Sequence, residues 1–413
     1  MNSEIITIGD ELLIGQVVNT NQAYIAEQLN LIGVRVDRMT TVGDDAGVIL
    51  SAFQEAWNRN DIVIVTGGLG PTHDDVTKKT VCRFFDSDLV SDPGVRRHIE
   101  DLIRRRNTPW TAALEDQTLV PRKASVIPNP VGTAAGMRFE ERGKHFFVLP
   151  GVPYEMKEMI DRSVAPFLRS RVQGSVIRHL TLRTTGIPES LLAAQLGDLT
   201  ELLAGASLAF LPALTGVRMR ITVHEKTEAD AGERLRGVEQ RIRSRVEKYI
   251  YGTGSDELEE VLGRVLTEKK LTIAIAESCT GGHIANRITD ASGSSLYFER
   301  GVIAYSNQSK IDLLRVPPEL IERHGAVSRE VAVAMASGVR TIAGTSIGLS
   351  TTGIAGPTGG TEAKPVGLVW IGYADAETTL ALQFTFGEGR TRIKERASQA
   401  ALELVRRKIL NIG

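Results

Sequence analysis

Residues 61–68 read DIVIVTGG: five apolar or β-branched residues that end directly in two glycines. A run this short and continuous predicts a strand buried on both faces, and the glycines mark an abrupt turn at its carboxyl end. The flanking segments alternate in kind. EIITIG (from Glu4) and VRVDRMTTV (from Val34) are strand-like, whereas NTNQAYIAEQLNLIG (from Asn19) and VILSAFQEAWNRN (from Val48) carry helical spacing. HFFVLPG (from His145) is a late strand, and the stretch from Glu155 is the closing helix. This succession predicts a parallel sheet with crossover helices, with ligands held at the carboxyl ends of the strands.

The segment from Arg171 to Ile250 differs, alternating in TLRTTG and RMRITVHE before a charged amphipathic helix from Ala231. It predicts a small α+β module. A third region opens with the helix DELEEVLGRVLTEKK (from Asp256) and the strand LTIAIA (from Leu271). Strands GVIAY, TSIGLST, VGLVWIGYA and TTLALQFTF follow, and because the last two are consecutive this sheet is expected to be mixed. The expected domains are 1–170, 171–254 and 255–413, consistent with about two to three domains for 413 residues.

With 49 Lys+Arg against 50 Asp+Glu, the net charge of -1 gives no global field for nucleic acid or an anionic membrane. Two cysteines make no disulfide framework, and seven histidines show no zinc spacing. The acidic N-terminus and the lack of a long apolar stretch predict a cytoplasmic protein with no membrane span.

Glycine-rich or acidic residues directly after strands are the candidate sites. GDELLIG (from Gly9) and TGGLGPTHDDVT (from Thr66) fall on one edge of the predicted sheet. Gly67, Gly68 and Gly70 let backbone amides approach an anion; Asp74 and Asp75 could cap the next helix or hold a divalent cation against a pyrophosphate, while Asp10 and Glu11 approach from the neighbouring loop. As purely structural features, the same residues would be a tight turn and a helix cap. Taken with PNPVGTAAG and LPGVPYEM, the four motifs in order resemble the N-terminal domain of the CinA proteins (competence/damage-inducible protein A), related to molybdopterin-binding domains. The resemblance covers residues 1–170 and implies a three-layer α/β fold and a metal-dependent ADP-ribose pyrophosphatase. Asp10, Thr66, Gly67, Gly68, Gly70, Asp74 and Asp75 fall on its motifs. Asp74 and Asp75 are the expected ligands of magnesium or a similar ion, with potassium as a further cation.

AESCTGG (from Ala276) follows the strand LTIAIA and carries two candidate nucleophiles, Ser278 and Cys279, with the N–H groups of Thr280, Gly281 and Gly282 behind them. Lys310, in GVIAYSNQSK, is the only lysine between Leu271 and Ala363. A lysine can serve as base if desolvation lowers its pKa, and Tyr305 could hold its amine. In TTGIAGPTGG, Thr352, Gly353 and Gly356 make a candidate oxyanion or phosphate loop, and Arg390 or Arg392 could bind a phosphate.

AESCTGG, GSS at 293–295, GVIAYSNQSK, GAVSREVA and TTGIAGPTGG resemble the C-terminal nicotinamide mononucleotide deamidase domain of CinA proteins, over residues 256–412. That resemblance implies an α/β/α domain with no cofactor. It makes Ser278 the nucleophile, Lys310 the base and Tyr305 its support, with Ser295, Thr352 and Arg392 at substrate-contacting positions. The family's middle segment is KH-like and implies a homodimer. Residues 171–250 contain no G-x-x-G loop, so a spacer or dimerisation role is expected rather than nucleic-acid binding. Two rival classes stand beside the bifunctional enzyme: a non-catalytic N-terminal binding module, and a DNA-uptake or recombination partner.

Overall fold

The computed structural model describes residues 1–70, 76–171, 176–387 and 389–413. It divides into two compact units. The first comprises residues 1–178 with 224–232, and the second residues 179–223 with 233–413.

The first unit is built on β1 (Asn2–Ile8), β2 (Arg35–Val42), β3 (Ile62–Thr66), the ribbon β4 (Leu89–Ser91) and β5 (Leu119–Pro121), then β6 (Ser125–Ile127), β7 (Gly136–Glu141) and β8 (Lys144–Leu149). Six of these form one sheet in the order β2-β1-β3-β8-β7-β6. Alternation along the strands separates two cores. Ile5, Ile64, Phe147 and Leu149 face one layer with Ile25 and Leu29. Ile6, Val63, Val65, Phe146 and Val148 face the other with Ile49 and Phe53. This period-two division gives the three-layer α/β arrangement. The helices start where expected: the Asn19 side chain caps Thr20–Leu31 and the Asp45 side chain caps Ala46–Arg59.

The expected parallel sheet is found over four strands, and two more extend it in antiparallel pairings. β2, β1, β3 and β8 are parallel, but β7 and β6 run antiparallel to their neighbours. The cause is a tight hairpin. Arg142 and Gly143 both take positive φ (54° and 74°), the conformation that suits the twist of a two-residue turn between Glu141 and Lys144.

The second unit contains most of the small α+β, KH-like module, whose first strand begins and whose third strand ends within residues of the first unit. β9 (Val176–Thr184), β10 (Ser207–Ala213), β11 (Gly216–Glu225) and β12 (Ile250–Thr253) form a sheet in the order β10-β11-β9-β12. The same unit holds the C-terminal five-stranded mixed sheet, ordered β14-β13-β15-β16-β17. Its strands are β13 (Ile273–Glu277), β14 (Phe298–Ile303), β15 (Ile347–Gly353), β16 (Leu368–Ala374) and β17 (Thr379–Thr385). β14, β13 and β15 are parallel; β16 and β17 are antiparallel. One face packs on helices Leu258–Glu268 and Arg390–Leu410, and the other on Arg329–Ala343. Among the described residues no helix is long and apolar enough to cross a membrane.

Candidate active site

β13 delivers Glu277 and Ser278 to the carboxyl edge of the C-terminal sheet. The Ser278 N–H donates to the Thr351 carbonyl (3.0 Å), so the neighbouring strand fixes the start of the turn. The turn then rises over Cys279, Thr280 and Gly281, and helix His283–Asp290 begins after Gly282.

Lys310, on helix Asn307–Leu314, enters this turn from the side. Its side chain is almost wholly buried (1% exposed), and its Nζ lies 3.1 Å from Ser278 Oγ. It also donates to the carbonyls of Ala304 (2.9 Å) and Tyr305 (3.3 Å). A neutral amine has two N–H bonds and one lone pair. With both N–H bonds directed at the carbonyls, the lone pair is left for the serine hydroxyl. Burial holds the Lys310 amine below the usual lysine range.

The same burial separates the two candidate nucleophiles. Cys279 points into the hydrophobic core and its thiol is pushed up to about 12 by desolvation, so almost no thiolate forms at neutral pH. Of the pair, it is the Ser278 side chain that hydrogen-bonds the amine.

Glu277, which the sequence reading passed over, organises the turn. Its buried carboxylate accepts N–H bonds from Gly282 (2.9 Å), Ile284 (3.2 Å) and Ala285 (2.9 Å). The signal was present: a carboxylate at a strand end, a few residues before a helix without an N-cap side chain. The expected amide cradle shifts accordingly. Gly282 serves Glu277 and the Gly281 N–H returns to the Ser278 carbonyl. The N–H groups of Cys279 and Thr280 donate to no other residue among those described.

The structure places four other candidate residues as follows. The Tyr305 phenol is 60% exposed and accepts from Arg390 (2.8 Å); it is the Tyr305 carbonyl that meets Lys310. The Thr352 hydroxyl is buried and donates to Ala326 O (2.8 Å), so it braces β15. Arg390 and Arg392 are both exposed, and it is Arg390 that bridges the Gly356 carbonyl (2.9 Å) and Tyr305. Gly353 ends β15 and leads to Gly356, so the glycine loop, Tyr305 and Arg390 share the rim of the Ser278 turn. Ser295 is not among them. It precedes β14, whose first residue pairs with Ile273 at the start of β13. Ser278 follows the other end of that five-residue strand, which places the two serines about 15 Å or more apart along the sheet.

In the first unit, β1 and β3 pair in parallel with Thr7 opposite Thr66, so Asp10 and Gly67 reach one edge. Thr66 Oγ1 donates to Pro150 O (2.7 Å), and Asn21 Nδ2 donates to Gly151 O (2.7 Å) and Thr66 Oγ1 (3.3 Å). Asn129 Nδ2 donates to Glu155 (2.7 Å). All four motifs therefore meet at this edge. Gly67 takes φ +113°, and a side chain there would run into the Ile8 carbonyl. Gly68 is half-buried, while Gly70 and Asp10 are exposed, and the Asp10 backbone N–H donates to Asp44 (3.0 Å). Asp74 and Asp75 lie outside the described residues. Among the described residues no group of three or more His, Cys, Asp or Glu side chains could hold a metal ion.

Comparison with known proteins decides the family. Models of the probable molybdopterin binding domain, the damage-inducible protein CinA KH domain and the CinA C-terminal domain match residues 4–170, 179–252 and 255–409. A CinA-like protein of Salinibacter ruber is 45% identical over 409 residues, covering 98% of this chain and 99% of that protein. The chain belongs to the CinA family. A putative competence-damage inducible protein of Caldicellulosiruptor bescii is 42% identical over the full length of both chains. A crystal structure of a CinA superfamily protein from Klebsiella pneumoniae is 27% identical, covering 37% of this chain and 96% of that one, with a TM-score of 0.37. The molybdopterin-binding-like region of the chain carries the first edge, and the CinA C-terminal region carries the Ser278 turn.

Proposed function

We propose that this CinA-family chain hydrolyses nicotinamide mononucleotide to nicotinic acid mononucleotide and ammonia at Ser278. The observation that carries the proposal is the buried Lys310 amine 3.1 Å from Ser278 Oγ. The Ser278 hydroxyl proton passes to Lys310 Nζ as Oγ attacks the carboxamide carbon. The oxyanion forms beside the Cys279 and Thr280 N–H groups, which no other described residue occupies. Lys310 returns the proton to the amide nitrogen, and ammonia leaves an acyl ester on Ser278. Water, deprotonated by the same amine, cleaves the ester and releases the acid. The test is incubation of the purified chain with nicotinamide mononucleotide and separation of the products. Ammonia and nicotinic acid mononucleotide in equal amounts support the reading; no ammonia refutes it.

A second activity, cleavage of ADP-ribose to AMP and ribose 5-phosphate, is proposed for the edge that gathers Asp10, Thr66, Gly67 and Gly68. What favours it is the convergence of the four motifs around the positive-φ Gly67 and Gly68. A divalent cation would neutralise the pyrophosphate. The described residues alone do not complete its site, and Asp74 and Asp75 are the proposed remainder. AMP formation from ADP-ribose that needs a divalent cation and is suppressed by Asp10→Ala would support this; its absence favours a binding module. The division at about 170 and 254 belongs to the same proposal.

A further inference from the structure

Resting on the deamidase reading, we propose that Lys394 receives the phosphate of the mononucleotide substrate and sets the preference for phosphorylated over unphosphorylated nucleoside. Arg390, at the start of the last helix, is fastened to the Gly356 carbonyl and the Tyr305 phenol, which fixes that helix start at the rim of the site. Lys394 follows one turn later, on the same helix face. Its Nζ lies 3.6 Å from the point where a side chain on Gly281 would begin. Gly281 is exposed, takes φ +61°, and donates its N–H to the Ser278 carbonyl. The ammonium therefore stands over the backbone of the nucleophile's own turn.

No carboxylate among the described residues pairs with Lys394. Glu277, the acid of this turn, is committed to three amides. The first turn of the last helix carries no acid either, although acids are favoured there and cations disfavoured. The half-buried His283 beside the turn feels this charge: burial, then Arg287 and Lys394, lower its pKa, with Glu395 and Glu277 opposing them. A lysine without an ion-pair partner, beside the serine's turn, suits a phosphate at the far end of a substrate whose carboxamide sits on Ser278.

The test compares ammonia release from nicotinamide mononucleotide and from nicotinamide riboside, which lacks the phosphate. In Lys394→Ala the ratio of kcat/KM for the mononucleotide to that for the riboside should fall about tenfold or more, mainly through KM, as expected for loss of a charge-assisted contact. Lys394→Arg should restore most of the ratio. Equal losses on both substrates, or an unchanged ratio, overturn the proposal. Wild-type chain that releases no ammonia from either overturns the deamidase reading and this proposal together.

Discussion

At the residue scale the decisive feature is an almost wholly buried lysine amine that three oxygen atoms surround. Removing a charged amine from water costs several kcal/mol, so the interior favours the neutral form that a serine needs as a base. The sign follows directly. Because burial lowers the Lys310 pKa, the base is neutral above that value and protonated below it. A pH profile of kcat/KM should therefore rise to a plateau with a midpoint below the ordinary lysine range near 10.5, and fall about tenfold per unit on the acid side. Lys310→Arg, locked in the charged form, should not show it. The neighbouring thiol makes the opposite prediction. With its pKa pushed up to about 12, Cys279 should resist iodoacetamide at pH 8 in the folded chain, and mass spectrometry after alkylation should find it unmodified while activity persists.

The elements show what sequence could and could not reveal. The strands and motif order were legible because continuous apolar runs ending in glycine have few other structural uses. Ser278 and Lys310 could be paired through the Gly/Ser-rich surroundings their motifs share and the family resemblance, with the scarcity of lysine adding only a little. Arg390 and Arg392 were not separable, since two residues apart on a helix they face different ways, and only the fold shows which reaches Gly356. Ser295, expected from the resemblance alone, lies where the chain has returned along a helix toward the opposite end of the sheet. Glu277 is the element-scale device. Glu277→Ala would leave three buried or half-buried amides without their acceptor and should cost about 3 kcal/mol in denaturant unfolding, with activity lost beyond what stability explains. On the other edge, Gly67→Ala should cost about 2 kcal/mol or more, because both its φ and the Ile8 carbonyl oppose a side chain.

Across the whole molecule, two sheets each present a glycine-rich carboxyl edge, and the net charge of -1 leaves capture of anions to those edges. The two proposed chemistries draw on different residues, so Asp10→Ala should leave ammonia release intact and Ser278→Ala should leave AMP formation intact; assays of both products on both variants check this. The most direct measurement is kcat/KM for ammonia release from nicotinamide mononucleotide in the wild-type chain, Ser278→Ala and Lys310→Ala, with folding checked by circular dichroism. A fall of at least about 10³-fold in both variants is the predicted result. Wild-type activity in either folded variant would contradict it.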